Sequence, residues 1–290
     1  MKPLEITSKQ FSQDLMVEVL QALTVCFEGI DQPFFVAGAT SRDLLATVLD
    51  MSEPQRATRD LDICIAIPTW ERFDEISEEL QRNGFSKDNH AKQRFHYTTR
   101  LKIDYEVDIV PFGGISPDEA HIYWPPDMDP MMTVRGFDAV LKQCITVRVI
   151  DKNFEFNIPT AGGLFLLKFD AWIDRHDSTD KDALDMMYLM EHYYLPNSTD
   201  DKYANVYDLD GSFSEIRAGA YMLAIDICEL MDSKHLSFYA EAINGELAKE
   251  EQSPLLQQML RSRSNSPSAF RELKDAWKTM SDVFATANEV

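Results

Sequence analysis

Positive charge is scarce in this sequence: its 290 residues hold 28 lysines and arginines against 49 aspartates and glutamates, a formal net charge of −21. The excess of carboxylates runs through both halves. Such a surface repels polyphosphate at long range, which disfavours tight nonspecific DNA binding and demands a local basic patch of any nucleic-acid substrate. Cysteine is scarce too: Cys26, Cys64, Cys144 and Cys228 are far apart and set in apolar runs. That spacing argues against a disulfide framework or a CxxC metal knuckle and suits reduced core thiols. No apolar run approaches the ~20 residues of a membrane span, and Met1-Lys2-Pro3-Leu4-Glu5 offers no signal-peptide core. A cytoplasmic protein with no membrane partner is expected. The 11 glycines form neither GxGxxG nor a Walker A loop, and the six histidines show no zinc-ligand spacing.

What is present is a globular composition, 44% hydrophobic and 27% charged, in a chain long enough for two domains. Phe11, Leu15, Val19, Leu23, Cys26 and Phe27 recur at helical spacing, with Ser8 or Ser12 as a cap. The apolar run 34–37 ends at Gly38 before a helix start at 41–45, and a polar loop follows at 52–58. Residues 61–67 read as a strand stopped by Pro68; Thr69 can cap a helix carrying Trp70, Phe73, Ile76 and Leu80, closed by Asn83-Gly84. Further strands are expected at 93–99, 102–110 and 145–150, with a loop-like stretch at 111–130. From about residue 159 the pattern turns helical, at 160–175, 180–192, 212–231, around Ser237 and from 254 onward. The reading is a mixed-sheet domain over 1–155 and an all-helical domain over 156–290.

Asp60 and Asp62 flank Leu61 at the entry of an apolar strand. Residues two apart on a strand share a face, so the two carboxylates project side by side. They repel unless a cation lies between them, and oxygen-only ligands suit Mg²⁺ or Mn²⁺. The same pair also fits a solvated strand entry. On a later strand Asp104, Glu106 and Asp108 alternate with Ile103, Tyr105, Val107 and Ile109, either as the wet face of an edge strand or, for Asp108, as a third ligand. Two-metal phosphoryl transfer needs carboxylates from neighbouring strands, and Asp60, Asp62 and Asp108 can supply that set. Gly38-Ala39-Thr40-Ser41-Arg42 places a glycine turn before a helix, where free amides and the dipole favour an anion.

In this order, the turn at Gly38, the Asp60-Leu61-Asp62 strand and Asp108-Ile109-Val110 resemble the DNA polymerase β-like nucleotidyltransferase superfamily. The resemblance implies an α+β fold, a mixed sheet with flanking helices followed by an all-helical domain. It also implies that Gly38, Ala39, Ser41 and Arg42 meet a nucleoside triphosphate, while Asp60, Asp62 and Asp108 hold the metals and carry catalysis. The sequence departs from that family at Ala39, where a second glycine or a serine is usual. Residues 164–175 followed by Lys181-Asp182-Ala183-Leu184-Asp185 look like the motif after the catalytic domain of AbiEii-type nucleotidyltransferases, the toxin halves of type IV abortive-infection systems. By that likeness Lys168 and Arg175, on the helix face of Trp172, reach the triphosphate, and Lys181, Asp182 and Asp185 assist; alternatively the basic residues form a surface stripe and Lys181 pairs with Asp185. The implied activity is metal-dependent transfer of a nucleoside monophosphate to an acceptor hydroxyl on RNA, tRNA or protein, with an antitoxin as partner. A cationic small-molecule acceptor fits the acidity, and a catalytically silent binding module is the reading from another class. Trp124-Pro125-Pro126 with Met128, Met131 and Met132 forms either an acceptor pocket or a packed loop. Arg261, Arg263, Arg271, Lys274 and Lys278 form either an RNA-steering segment or a solvated helix face.

Overall fold

The computed structural model describes residues 3–11, 14–51, 60–210, 213–263 and 266–287. The polar loop at 52–58 and the alternative cap Ser12 lie outside the described residues. The chain divides into two compact units, Met1–Val48 with Glu53–Thr160, and Leu49–Ser52 with Ala161–Val290.

The first unit runs through β1 (Leu4–Ile6), α1 (Asp14–Gly29), β2 (Phe34–Val36), α2 (Gly38–Val48), β3 (Asp60–Ile67), α3 (Trp70–Arg82), β4 (Phe85–Lys87), β5 (Arg94–Thr98), β6 (Asp104–Gly113), β7 (His121–Tyr123), β8 (Met131–Thr133), α4 (Phe137–Lys142), β9 (Ile145–Val149) and β10 (Phe154–Ile158). Five strands form a mixed sheet in the order β2-β3-β6-β5-β4, in which β3 and β6 are parallel and the other pairs antiparallel. Two smaller sheets are β1-β9-β10 and β7-β8. The period of two decides the faces of the main sheet. Leu61, Ile63, Ile65 and Ile67 of β3 and Tyr105, Val107 and Ile109 of β6 are buried, while Asp60, Asp62, Glu106 and Asp108 take the alternate positions. Helix α3 buries Phe73, Ile76 and Leu80, as its 3.6-residue spacing demands, but Thr69 stands at its N-cap without a side-chain cap bond.

Several short elements escape the sequence reading, among them β1, β4 and α4. Strands β7 and β8 lie in and beside the stretch expected as loop, and β10 forms a hairpin with β9 across residue 155. Pro111 sits inside β6 instead of ending it. Pairing with β5 reaches only Asp108, so at Pro111 β6 has β3 alone beside it, an edge position where a missing amide hydrogen is tolerated.

The second unit holds α5 (Ala161–Arg175), α6 (Lys181–His192), α7 (Tyr194–Asn197), α8 (Glu215–Leu230), α9 (Ser233–Leu247), α10 (Pro254–Met259) and α11 (Pro267–Ala287). Helix α5 is buried continuously from Ala161 to Asp170, including the charged Lys168 and Asp170. Its Phe165 and Phe169 rings contact Trp277 of α11 at 5.6 and 5.3 Å, and Phe169 also meets Tyr239 of α9. Helices α6 and α8 approach so closely at Gly219 that an added Cβ would lie 2.1 Å from the Met190 carbonyl oxygen. Mixed sheets followed by helices make this an α+β protein. Among the described residues no helix is long and apolar enough to cross a membrane, and the four cysteines are free thiols.

Candidate active site

The turn from β2 into α2 is built around Gly38, whose φ of +66° lies in the left-handed region that favours glycine. Its neighbour Ala37 donates its amide hydrogen to the Asp62 carbonyl at 2.8 Å. The Gly38 backbone lies against the Asp62 side chain, where an added Cβ would stand 1.9 Å from Oδ2. The start of α2 and the second carboxylate of the Asp-x-Asp strand are therefore in contact. Ser41 is fully buried and its hydroxyl donates to the Val36 carbonyl, which ties the helix back to its strand. Arg42 is also buried, with Nε and Nη2 on Asp43 at 3.0 and 2.7 Å, and Ala39 is partly exposed.

Strand register lines up the carboxylates. Asp60 stands opposite Glu106 and Asp62 opposite Asp108 across the parallel β3–β6 ladder, roughly 4.8 Å apart at the backbone. On the other side of β6, Arg94 stands opposite Asp108, His96 opposite Glu106 and Thr98 opposite Asp104. The sheet face thus carries two acidic columns and a third holding an arginine and a histidine. Arg94 donates through Nε and Nη2 to both Asp108 oxygens at 2.8 and 2.9 Å, and its Nη1 reaches Glu106 at 2.6 Å. His96 bridges Asp88 and Asp104, each at 2.9 Å. The Asp88 hydrogen bond, with help from Asp104, raises the His96 pKa above its ordinary 6.5. His96 in turn, with the amides of Ala91 and His90, holds the Asp88 carboxyl well below the usual carboxylate range.

Asp60, Asp62 and Asp108 form an all-oxygen donor set on adjacent strands, chemistry that fits Mg²⁺ or Mn²⁺. Among the described residues no three His, Cys, Asp or Glu side chains are gathered around one point. Both oxygens of Asp108 are on Arg94 instead.

In the helical unit, Lys168 and Arg175 do not form a surface stripe. The Lys168 ammonium is 3.3 Å from Asp182 and 2.7 Å from Asp185, and Arg175 makes two bonds to Asp182 at 2.7 and 2.9 Å. Both carboxylates are almost wholly buried. The alternative i,i+4 pairing of Asp185 with Lys181 is not formed; Lys181 is exposed, and Asp185 meets Lys168 of the neighbouring helix. Trp172 is buried and donates its indole N–H to Gln258 at 2.8 Å. The Trp124 ring is buried against Trp70 and Phe73. Pro125 and Pro126 are exposed and Met128 and Met131 are 58% and 52% exposed, so of this segment the tryptophan is packed and these four residues face outward. In the C-terminal basic segment, Arg261 pairs with Asp180, Arg263 with Glu191 and Glu272, and Lys274 with Glu250.

Arg94 and His96 are the site-face residues that sequence reasoning passed over. A signal was present: strands at 93–99 and 102–110 facing each other across a short turn place Arg94 beside Asp108 and His96 beside Glu106. Only pairing the two strands as a hairpin brings that out.

The lincosamide adenylyltransferase LnuA, solved with lincomycin bound, is similar at 15% identity and a TM-score of 0.36, over 63% of this chain and 96% of LnuA. JHP933 from Helicobacter pylori is similar at 11% identity and a TM-score of 0.36, over 96% of this chain and 94% of its own. The Thermotoga maritima CCA-adding enzyme, solved with tRNA, is similar at 13% identity and a TM-score of 0.27, over 99% of this chain and 86% of its own. Likenesses at this level carry neither substrate nor mechanism across. No curated protein matches the chain. Residues 20–284, most of the chain, match the family model described as "Nucleotidyl transferase AbiEii toxin, Type IV TA system", and the protein with this carboxylate face and Gly38 turn belongs to the AbiEii nucleotidyltransferase family.

Proposed function

We propose that this protein is a divalent-metal-dependent nucleotidyltransferase that moves a nucleoside monophosphate from a nucleoside triphosphate to an acceptor hydroxyl. The observation that carries this reading is the contact of Gly38, the first residue of α2, with Asp62, whose neighbour across the ladder is Asp108. An anion-attracting helix terminus and a pair of carboxylates thereby share one spot on the sheet. Asp60, Asp62 and Asp108 would hold Mg²⁺ or Mn²⁺; when bound, the ion supplies positive charge to the triphosphate and acidity to the acceptor hydroxyl. The first amides of α2, at Gly38 and Ala39, are donors for phosphate oxygens. The acceptor oxygen attacks the α-phosphorus as the bond to the α,β-bridging oxygen breaks. Pyrophosphate leaves with the electron pair, and the hydroxyl proton goes to solvent.

The acceptor is RNA, tRNA or a protein, and the family description supports a toxin role with an antitoxin as partner. A cationic small-molecule acceptor is the second reading, favoured by the net charge of −21. Four free thiols support work in a reducing cytoplasm. The test is incubation with each α-labelled nucleoside triphosphate, Mg²⁺ or Mn²⁺, and a cell extract split into RNA, protein and small-molecule fractions. Asp62→Asn is expected to lower transfer by about 100-fold or more while the thermal melt stays within a few degrees. Unchanged transfer by that variant would sink the reading, and the labelled fraction names the acceptor.

A further inference from the structure

Both oxygens of Asp108 lie on the guanidinium of Arg94, and the remaining guanidinium nitrogen is held by Glu106. Two-point contact of this kind is the strong, directional form of the arginine–carboxylate pair. By register Asp62, Asp108 and Arg94 make a row across β3, β6 and β5. One guanidinium at the end of that row offsets the repulsion between two adjacent carboxylates. An ion held by Asp108 would draw on the same two oxygens that Arg94 holds, so the two cations compete for one carboxylate.

We infer that Arg94 is a built-in counter-cation of Asp108 that a divalent ion displaces, and that Glu106 retains the guanidinium once it is displaced. The inference rests on the metal-dependent reading above. The exposures support the direction of travel: the Asp108 side chain is 17% exposed and that of Glu106 is 47%. Arg94 can therefore let go of Asp108 and keep Glu106 while moving outward. The exchange swaps one cation for another at Asp108, so the row never carries two unopposed carboxylates. It also raises the ion concentration needed to fill the site, since an incoming ion competes with a bidentate pair for the Asp108 charge. Arg94 is in this sense a positioning residue: it acts on Asp108.

The experiment is a Mn²⁺ titration of the full chain without nucleotide, with free Mn²⁺ read by electron paramagnetic resonance. It compares the natural protein with Arg94→Ala, Arg94→Lys and Asp62→Asn, each checked for folding by circular dichroism. Arg94→Ala is expected to bind Mn²⁺ about fivefold tighter, the equivalent of a part-exposed ion pair lost as competitor, with Arg94→Lys in between. Should Arg94→Ala fail to fold, Arg94→Lys carries the comparison. Affinity that is unchanged or weaker in the folded Arg94 variants, while Asp62→Asn loses binding, overturns the inference and leaves the metal reading standing. Absence of saturable Mn²⁺ binding in both the natural protein and the Arg94 variants overturns both.

Discussion

At Gly38 one missing methyl group governs the spacing between a helix terminus and a carboxylate. An alanine there faces two costs: a left-handed backbone worth roughly 1–2 kcal/mol, and a Cβ 1.9 Å from Asp62 Oδ2. The second is relieved only if the Asp62 side chain shifts, since its Cγ would also lie 2.9 Å away. Gly38→Ala is therefore expected to lower stability by at least about 1–2 kcal/mol and to abolish transfer, with urea unfolding and labelled-triphosphate turnover as the paired measurements. His96 makes a different residue-scale claim. Its folded pKa is raised from 6.5 by Asp88 and Asp104, so the stability it contributes is complete below about 6.5 and fades as pH rises through the folded value. Asp88, held below its usual 3.8, contributes only above that value. Glu106 across the ladder, Arg94 two residues away and the carboxylates of Asp60, Asp62 and Asp108 are further charges on this face. His96→Gln is thus expected to melt below the natural protein at about pH 5 to 6, with the gap narrowing as pH rises above 6.5; a gap that stays constant as pH rises would refute it.

Among elements, the α5–α6 pair is where charge and packing meet. Two cations from α5 and two almost fully buried carboxylates from α6 neutralise one another where the two helices meet. Removing one member of such a set leaves a charge that burial penalises. Lys168, itself buried, and Arg175, whose side chain is 55% exposed, should differ sharply. Lys168→Met is expected to cost about 3–5 kcal/mol in urea unfolding, and Arg175→Met under about 1 kcal/mol. The i,i+4 and i,i+7 spacings were visible in the sequence, but spacing along one helix says nothing about what the next helix presents. Lys181 and Asp185 looked like a pair for that reason, although Asp185 meets Lys168. The same limit explains the C-terminal basic segment, read as an RNA-steering segment or a solvated helix face, in which Arg261, Arg263 and Lys274 are met by Asp180, Glu191, Glu272 and Glu250. Helices α3, α5, α6 and α8 were legible because an apolar face of period 3.6 extends over several turns. Strands of three residues such as β7 and β8 hold too few alternations to register.

Across the whole molecule, the scarcity of positive charge, the mixed-sheet unit followed by helices, and the Gly38 and Asp60-Leu61-Asp62 motifs are all properties of local order along the chain. Alternation and periodicity arise from the geometry of a single strand or helix, so the sequence by itself determined which residues face the core and which carboxylates share a face. It also carried the family likeness, the turn, Asp-x-Asp strand and later aspartate for the polymerase β-like superfamily and residues 164–185 for the AbiEii type. Tertiary structure alone decided which column of charge stands beside which. The ladder set Asp62 against Asp108, the hairpin set Arg94 on the far side of Asp108, and helix packing turned Lys168 and Arg175 onto Asp182 and Asp185. Register depends on turns and on the burial of whole faces, and electrostatic partners depend on register. A charge read in one dimension has a sign and a face, and only the fold gives it a neighbour.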